Sequence, residues 1–319
     1  MVSPPLELPD NRLGLGLAAL GRPGYITLHH AADIGPAGSP QDLEPHAHDV
    51  ISAAWGAGIR YFDAARSYGK AEDFLGHWLT AKDVAPDDVR VGSKWGYTYT
   101  AGWRVEATVH EVKDHTIDVL NRQIGETRSR LGRYLDLYQI HSATEASGVL
   151  DNAAVLDRLA DLREGGVAIG FTTSGPDQAS TIRRAIGVER GDERLFAAVQ
   201  STWNVLEPSA GEALSEAAEA GLAVIVKEAV ANGRLTSRNR ALARQLEAVI
   251  PGFSADAIAI GAALAQPWAS LVLSGAATAD QLRSNVRASA VPPGAIGDLP
   301  QLAEDPAAYW AARAELPWN

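Results

Sequence analysis

Gly58-Ile59-Arg60-Tyr61-Phe62-Asp63-Ala64-Ala65 is a short apolar run that closes on a carboxylate, and Tyr68 follows Asp63 by five residues. A run of this length rich in β-branched and aromatic residues reads as a strand. Directly after it, Ala71, Phe74, Leu75, Trp78 and Leu79 recur at i, i+3, i+4, i+7 and i+8, one apolar stripe along a helix. The unit is therefore a strand, a polar residue at its exit, and an amphipathic helix.

The same unit recurs along the chain. Strands are expected at residues 12–20, 58–65, 89–96, 135–141, 167–174, 197–204, 222–228 and 270–277, eight in all. Helical stripes recur between them, as in Ile117, Leu120 and Ile124, in Val155, Leu159 and Leu162, and in Leu214, Ala217, Ala218 and Gly221. Glycines at 165, 166 and 221 stand where a helix would end in a left-handed cap. Strands that alternate with helices must be parallel, and a parallel sheet has to be covered on both faces or closed on itself. Eight units predict a (β/α)8 barrel spanning 1–319 as a single domain. The rival, a doubly wound sheet, lacks its fingerprint, because Gly14, Gly16 and Gly21 do not have the G-x-G-x-x-G spacing. Leu6–Asn11 is expected to form a short lid or hairpin at the barrel floor, with a packing role.

Composition narrows the chemistry. The 319 residues are 46% hydrophobic and 21% charged, enough apolar side chain for a large core. With 39 acidic against 28 basic residues the net charge is -11, which argues against nucleic acid or an anionic membrane as a partner. The absence of cysteine excludes disulfides, thiolate catalysis and Cys-ligated metals. Neither a signal-peptide pattern nor an apolar stretch of membrane-spanning length is present, so a cytoplasmic location is expected.

Asp63, Lys94 and His141 end the second, third and fourth strands, and in a closed parallel barrel such ends converge on one rim. A phenol has an ordinary pKa near 10, and an ammonium about 4 Å away lowers it, so Lys94 is expected to activate Tyr68. Asp63 is needed to keep a buried Lys94 cationic, and His141 can donate a hydrogen bond to a carbonyl oxygen. Such a set suits proton transfer during carbonyl–alcohol interconversion, yet it contains no electron source. Two long connections at the same rim, residues 21–40 and 96–108, bring Tyr25 and Trp103 to the substrate, and Trp95 and His141 join them as expected contacts.

Across nearly its whole length the chain resembles the aldo-keto reductase superfamily. The resemblance lies in GIRYFDAARSYGKAEDFLG (58–76), VGSKWG (91–96), LDLYQIH (135–141), Gly170–Ser174, AVQSTWN (198–204) and LVLSGAATADQLRSN (271–285). It implies a nicotinamide-dependent enzyme with Tyr68 as general acid/base, Asp63 and Lys94 tuning it, and His141 assisting the carbonyl of a small-molecule substrate. Hydride would pass directly between cofactor and substrate, without metal. Thr173, Ser174 and Gln200 would hold the nicotinamide carboxamide, although Ser174 stands where an Asn is common. Lys227-Glu228 replaces a segment whose Tyr often stacks on nicotinamide, leaving Lys227 to line the cofactor cleft or to form a surface pair with Glu228. Gly275 and Ala276 would approach the phosphates, and Gln281 and Asn285 the adenine. Basic residues that often grip a 2′-phosphate are missing from 275–278, so NAD(H) stands beside NADP(H), and use of both is expected unless Arg234, Arg238 or Arg283 reaches the phosphate.

Other signals point elsewhere. His110-Glu111-Val112-Lys113-Asp114-His115 misses the zincin H-E-x-x-H by one residue, and no metal is expected there. His29-His30 and His46/His48 are read as exposed. Two further classes stay open: a Schiff-base lyase or aldolase using Lys94 or Lys227, and a nicotinamide-binding regulatory protein with slow turnover.

Overall fold

The computed structural model describes residues 6–35, 38–299 and 301–319. Eight parallel strands close into a barrel: β1 Leu13–Gly16, β2 Tyr61–Asp63, β3 Arg90–Trp95, β4 Leu135–Ala143, β5 Ala168–Thr173, β6 Ala198–Thr202, β7 Ala223–Lys227 and β8 Leu271–Ser274. Each strand pairs with its neighbours in sequence, and β1 meets β8 through Leu13↔Val272 and Leu15↔Ser274 to close the ring. Helices Pro40–Gly56, Ala71–Ala81, Ile117–Leu131, Ala153–Glu164, Gln178–Ile186, Gly211–Glu219, Ala255–Leu264 and Ala279–Val286 lie between or after the strands. The stripe Ala71, Phe74, Leu75, Trp78 and Leu79 is buried, as its spacing requires. Gly166 and Gly221 take φ of 90° and 88°, the left-handed conformation that ends a helix cheaply only at glycine.

Inside the barrel the side chains stack in two layers of opposite character. Tyr61, Leu137, Ala198, Ile225, Leu271 and Leu273 form an apolar lower layer. Leu6 and Leu8 pack beneath it, so the expected lid or hairpin is an irregular apolar plug. Two glycines make room for the large Tyr61 ring. A Cβ on Gly14 would stand 3.0 Å from that ring and 2.9 Å from Leu271 and Leu273, and one on Gly92 only 2.4 Å from the Tyr61 hydroxyl. Two residues further along each strand, on the same inward face, lies a polar upper layer of Asp63, Lys94, Gln139 and Gln200.

The connection at 96–108 is not a structureless loop. Tyr97–Tyr99 pairs antiparallel with Glu111–Lys113, with Tyr97↔Lys113 and Tyr99↔Glu111 in register. The connection at 21–40 carries a short helix, His30–Ile34, while its residues 36 and 37 lie outside the described part. No helix among the described residues is long and apolar enough to cross a membrane.

Candidate active site

Asp63 is the centre of the upper layer. It is buried at the end of β2, forms an ion pair with Lys94 of β3, and accepts hydrogen bonds on Oδ1 from Gln200 Nε2 at 2.9 Å and Gln139 Nε2 at 3.5 Å. Lys94 Nζ also donates to the Ala64 carbonyl at 2.9 Å and to Tyr68 Oη at 3.4 Å. Tyr68 hangs from the turn after β2, and its ring meets His141 edge-on with centroids 5.6 Å apart. His141 owes its aim to an irregularity in β4. The pairing register with β5 shifts between Ile140 and Ala143, and Ser142 takes φ 53° while its N–H donates to Thr172 Oγ1 at 2.7 Å. The three strand-end residues and Tyr68 therefore meet.

Electrostatics set their protonation. Burial, then the Asp63 carboxylate, hold the Tyr68 phenol well above its ordinary pKa. The lowering expected from Lys94 does not prevail: Asp63 pairs with that ammonium, and burial dominates. Burial and the cations Lys94 and Lys227 push His141 well below its usual value, so the imidazole is neutral with a single N–H to donate.

Asp63, Tyr68 and His141 face a cavity of about 270 Å³, lined also by Arg22, Tyr25, Tyr97, Glu111, Ser174, Gln200, Lys227, Glu228, Arg313 and Trp318. Lys227 and Glu228 are not a surface pair. Lys227 Nζ donates to Thr202 Oγ1 at 2.7 Å, and burial lowers its pKa to about 8. Glu228, at a left-handed φ of 56°, is gripped by both faces of the Arg313 guanidinium fork, whose Nε lies 2.9 Å from Oε2. Burial alone would raise Glu228; Arg313 and Lys227 overcome it and hold the carboxyl at about 2. Arg22 pairs with Glu111 and lies 4.6 Å from the Trp318 ring centroid, so the chain's last segment roofs the cavity.

Strand alternation decides which predicted contacts reach this space. Ser174 lines it, but Thr173 points outward and donates to Ser201 Oγ at 2.9 Å. Trp95 follows inward-facing Lys94, so it is fully buried behind the wall, against His115, and does not line the cavity. Trp103 packs against the main hydrophobic cluster and is likewise outside the lining. Tyr25 and His141 do line it. Gln139 and Arg22 escape the sequence reading, which gives Glu228 only as a partner of Lys227, and Arg313 and Trp318 only as part of a tail, residues 307–319, that could close over the pocket or pack below it. Period-two spacing from His141 flags Gln139; the others carry no local signal.

His110 stacks on Trp318 with centroids 4.2 Å apart, while His115 turns to the His141 carbonyl at 2.9 Å. No group of three or more His, Asp or Glu among the described residues could hold a metal. His30 is fully buried and His46 and His48 are half-buried, contrary to the exposed placement expected; His46 Nε2 reaches the Ala277 carbonyl at 2.6 Å.

A second cavity of about 270 Å³ adjoins the first, with Ala19, Thr27, Val230 and Gly275 lining both. Ala276, Ala277, Gln281 and Asn285 line its far end. A Cβ placed on Gly275 would meet nothing within 4 Å, so the joint opens into the groove. A continuous groove with amide side chains at both ends and a bare backbone between them fits an elongated dinucleotide.

The aldo/keto reductase family model matches residues 12–294. Pyridoxal 4-dehydrogenase from Microbacterium luteolum is 27% identical over 255 residues, covering 70% of this chain and 68% of that protein. Among solved structures, the holo form of an aldo-keto reductase from Bacillus halodurans superposes with a TM-score of 0.69 at 21% identity, covering 92% of this chain and 93% of its own. A glycerol dehydrogenase from Gluconobacter oxydans gives 0.66 at 21% identity, covering 94% and 95%. The chain belongs to the aldo/keto reductase family and is an NAD(P)H-dependent oxidoreductase.

Proposed function

We propose that the protein interconverts a small, polar, hydroxyl-bearing carbonyl compound and its alcohol, with Tyr68 as the proton donor and acceptor. The observation that carries this reading is Lys94, which joins Asp63 to Tyr68 Oη while His141 lies edge-on to the same ring. A bound nicotinamide dinucleotide supplies the hydride in reduction and takes it up in oxidation. Ser174, Gln200 and Lys227 would hold it at the barrel mouth, Gly275 and Ala276 along the groove, and Gln281 and Asn285 at the far end, since all of them line the two cavities.

Because the phenol is protonated, Tyr68 enters the reduction direction ready to act. Its proton passes to the substrate oxygen as hydride reaches the carbon, and the phenolate left behind regains a proton from solvent. Lys94, donating to Oη, stabilises that transient phenolate, and Asp63 compensates the charge of Lys94. The neutral imidazole of His141 donates its N–H to the same oxygen and orients it. The wall of Arg22, Tyr97, Glu111 and Lys227 presents donors and acceptors suited to hydroxyl groups, and the name of the relative pyridoxal 4-dehydrogenase supports a polar aldehyde or alcohol.

Lys94 is too fully engaged to attack a carbonyl as a free amine, which leaves Lys227 as the lysine of the Schiff-base alternative. A panel of hydroxyaldehydes, aromatic aldehydes and the matching alcohols, assayed by the absorbance of reduced nicotinamide, tests the reading together with Tyr68→Phe. Turnover is expected to fall at least about 100-fold in that variant with cofactor affinity unchanged. Wild-type turnover in Tyr68→Phe, or borohydride trapping of substrate on a lysine, would overturn it.

A further inference from the structure

The far cavity is crossed by a polar strap. Arg238, after β7, pairs with Asp33 on the short helix His30–Ile34 and donates through Nη1 to the Leu28 carbonyl. Gln281 Nε2 donates to the other oxygen of Asp33 at 2.9 Å, and Gln281 Oε1 accepts from the Ala277 N–H at 2.8 Å. Three segments of chain thus meet over one carboxylate, which is only 11% exposed.

We propose that this strap makes the protein select NAD(H) over NADP(H), and that Asp33 is the residue that does so. The proposal rests on the reading of the two cavities as one dinucleotide groove. A 2′-phosphate needs an Arg or Lys for its charge-assisted contacts. Of the three arginines noted in the sequence only Arg238 lines this cavity, where Asp33 engages it; Arg234 pairs with Glu304, and Arg283 with Asp280 at the surface, outside the lining. The cavity is lined by three carboxylates, Asp33, Asp256 and Asp280, against the single cation Arg238. For Arg238 to reach a phosphate it would have to abandon Asp33, leaving a largely buried carboxylate beside a new dianion. A 2′-hydroxyl meets no such penalty. Asp33 accepts one bond on each oxygen and retains lone pairs for a further donor, and a carboxylate is the acceptor a free ribose hydroxyl suits. The Arg238 noted in the sequence as a potential phosphate ligand is therefore the partner of the residue that excludes the phosphate.

Calorimetric titration with ADP-ribose and 2′-phospho-ADP-ribose tests this without turnover and without the nicotinamide end. Wild-type protein should bind ADP-ribose at least about 30-fold more tightly, with the ratio shrinking as salt rises. Asp33→Asn, which frees Arg238, should cut that ratio by at least about tenfold, chiefly through tighter binding of the phosphorylated ligand. The wild-type ratio decides the matter even if the variant does not fold. Equal affinities, or a preference for the phosphorylated ligand, would overturn the selection while leaving the groove intact. Failure of both ligands to bind would overturn the groove reading itself. ADP-ribose binding with no turnover on any carbonyl would instead overturn the proposed chemistry and leave this selection standing.

Discussion

Two buried carboxylate–cation pairs stand around one cavity, and they are built in opposite ways. Asp63 and Lys94 sit on adjacent strands, β2 and β3, where barrel register brings their ends together, and Asp63 takes further hydrogen bonds from Gln139 and Gln200. Glu228 and Arg313 are 85 residues apart, one in a left-handed turn leaving β7 and the other on the last helix, Pro306–Ala314. The first pair touches Tyr68 and so belongs to the proposed proton path; the second fastens the final helix to the barrel mouth. On the proposed mechanism, similar electrostatics thus serve catalysis in one place and assembly in the other.

Breaking each pair should separate these roles. Lys94→Met removes the donor to Tyr68 and strands Asp63, and we expect turnover to fall at least about 1,000-fold under saturating substrate and cofactor. A variant retaining a tenth of wild-type turnover would show that Lys94 only packs. Glu228→Gln should lower stability by about 3 kcal/mol, because Arg313 and Lys227 lose their shared counter-charge, while turnover of the folded protein changes far less. Denaturant titration at matched m-value measures this.

Acid sharpens the second half of that contrast. Glu228 is depressed when folded, so its contribution is complete above the ordinary carboxylate pKa and is lost as pH falls toward about 2. The stability gap between wild type and Glu228→Gln should therefore be widest near neutrality and close on acidification; a gap independent of pH would exclude the ion pair as its source. At Tyr68, beside the first pair, the sign is reversed. Tyr68 is raised, so its acid form is full at neutral pH and its base form grows with alkalinity. Alcohol oxidation should rise about tenfold per pH unit through neutrality while carbonyl reduction stays nearly flat. Parallel profiles in the two directions would remove Tyr68 from the proton path.

The smallest effect is expected at the roof. Trp318→Ala strips the ring that covers Arg22 and stacks on His110, and should raise KM by about threefold to tenfold with kcat little altered. A loss confined to kcat would place Trp318 in the chemistry instead.

The barrel and its strand-end residues were legible because both follow from periodicity. Asp63, Lys94 and His141 are positions where a run of one period stops, and closure makes such stops converge. The same rule, carried one step further, separates Ser174 from Thr173 and excludes Trp95, since a residue next to an inward-facing lysine must face out. The pairs Glu228–Arg313 and Asp33–Arg238 had no such signal. They join residues 85 and 205 apart through irregular turns, where contact depends on backbone conformation that no spacing encodes. The error about Tyr68 had a different origin: a Coulomb argument placed the cation and its carboxylate correctly but counted only the pull of the ammonium on the phenol, leaving out burial and the opposing push of Asp63.

The order of the strands around the ring has one more consequence. Asp63, Tyr68, Lys94 and His141 all belong to β1–β4 and their exits, whereas Ser174, Gln200, Lys227, Gly275, Gln281 and Asn285 belong to β5–β8. The proposed proton path thus lies in one half-barrel and most of the groove in the other, with Asp33 reaching across the seam to Arg238 and Gln281. Recombination at the β4–β5 junction would part Asp33 from Arg238 and Gln281, so the proposed proton relay would travel whole while the proposed dinucleotide selection would have to be rebuilt across the seam.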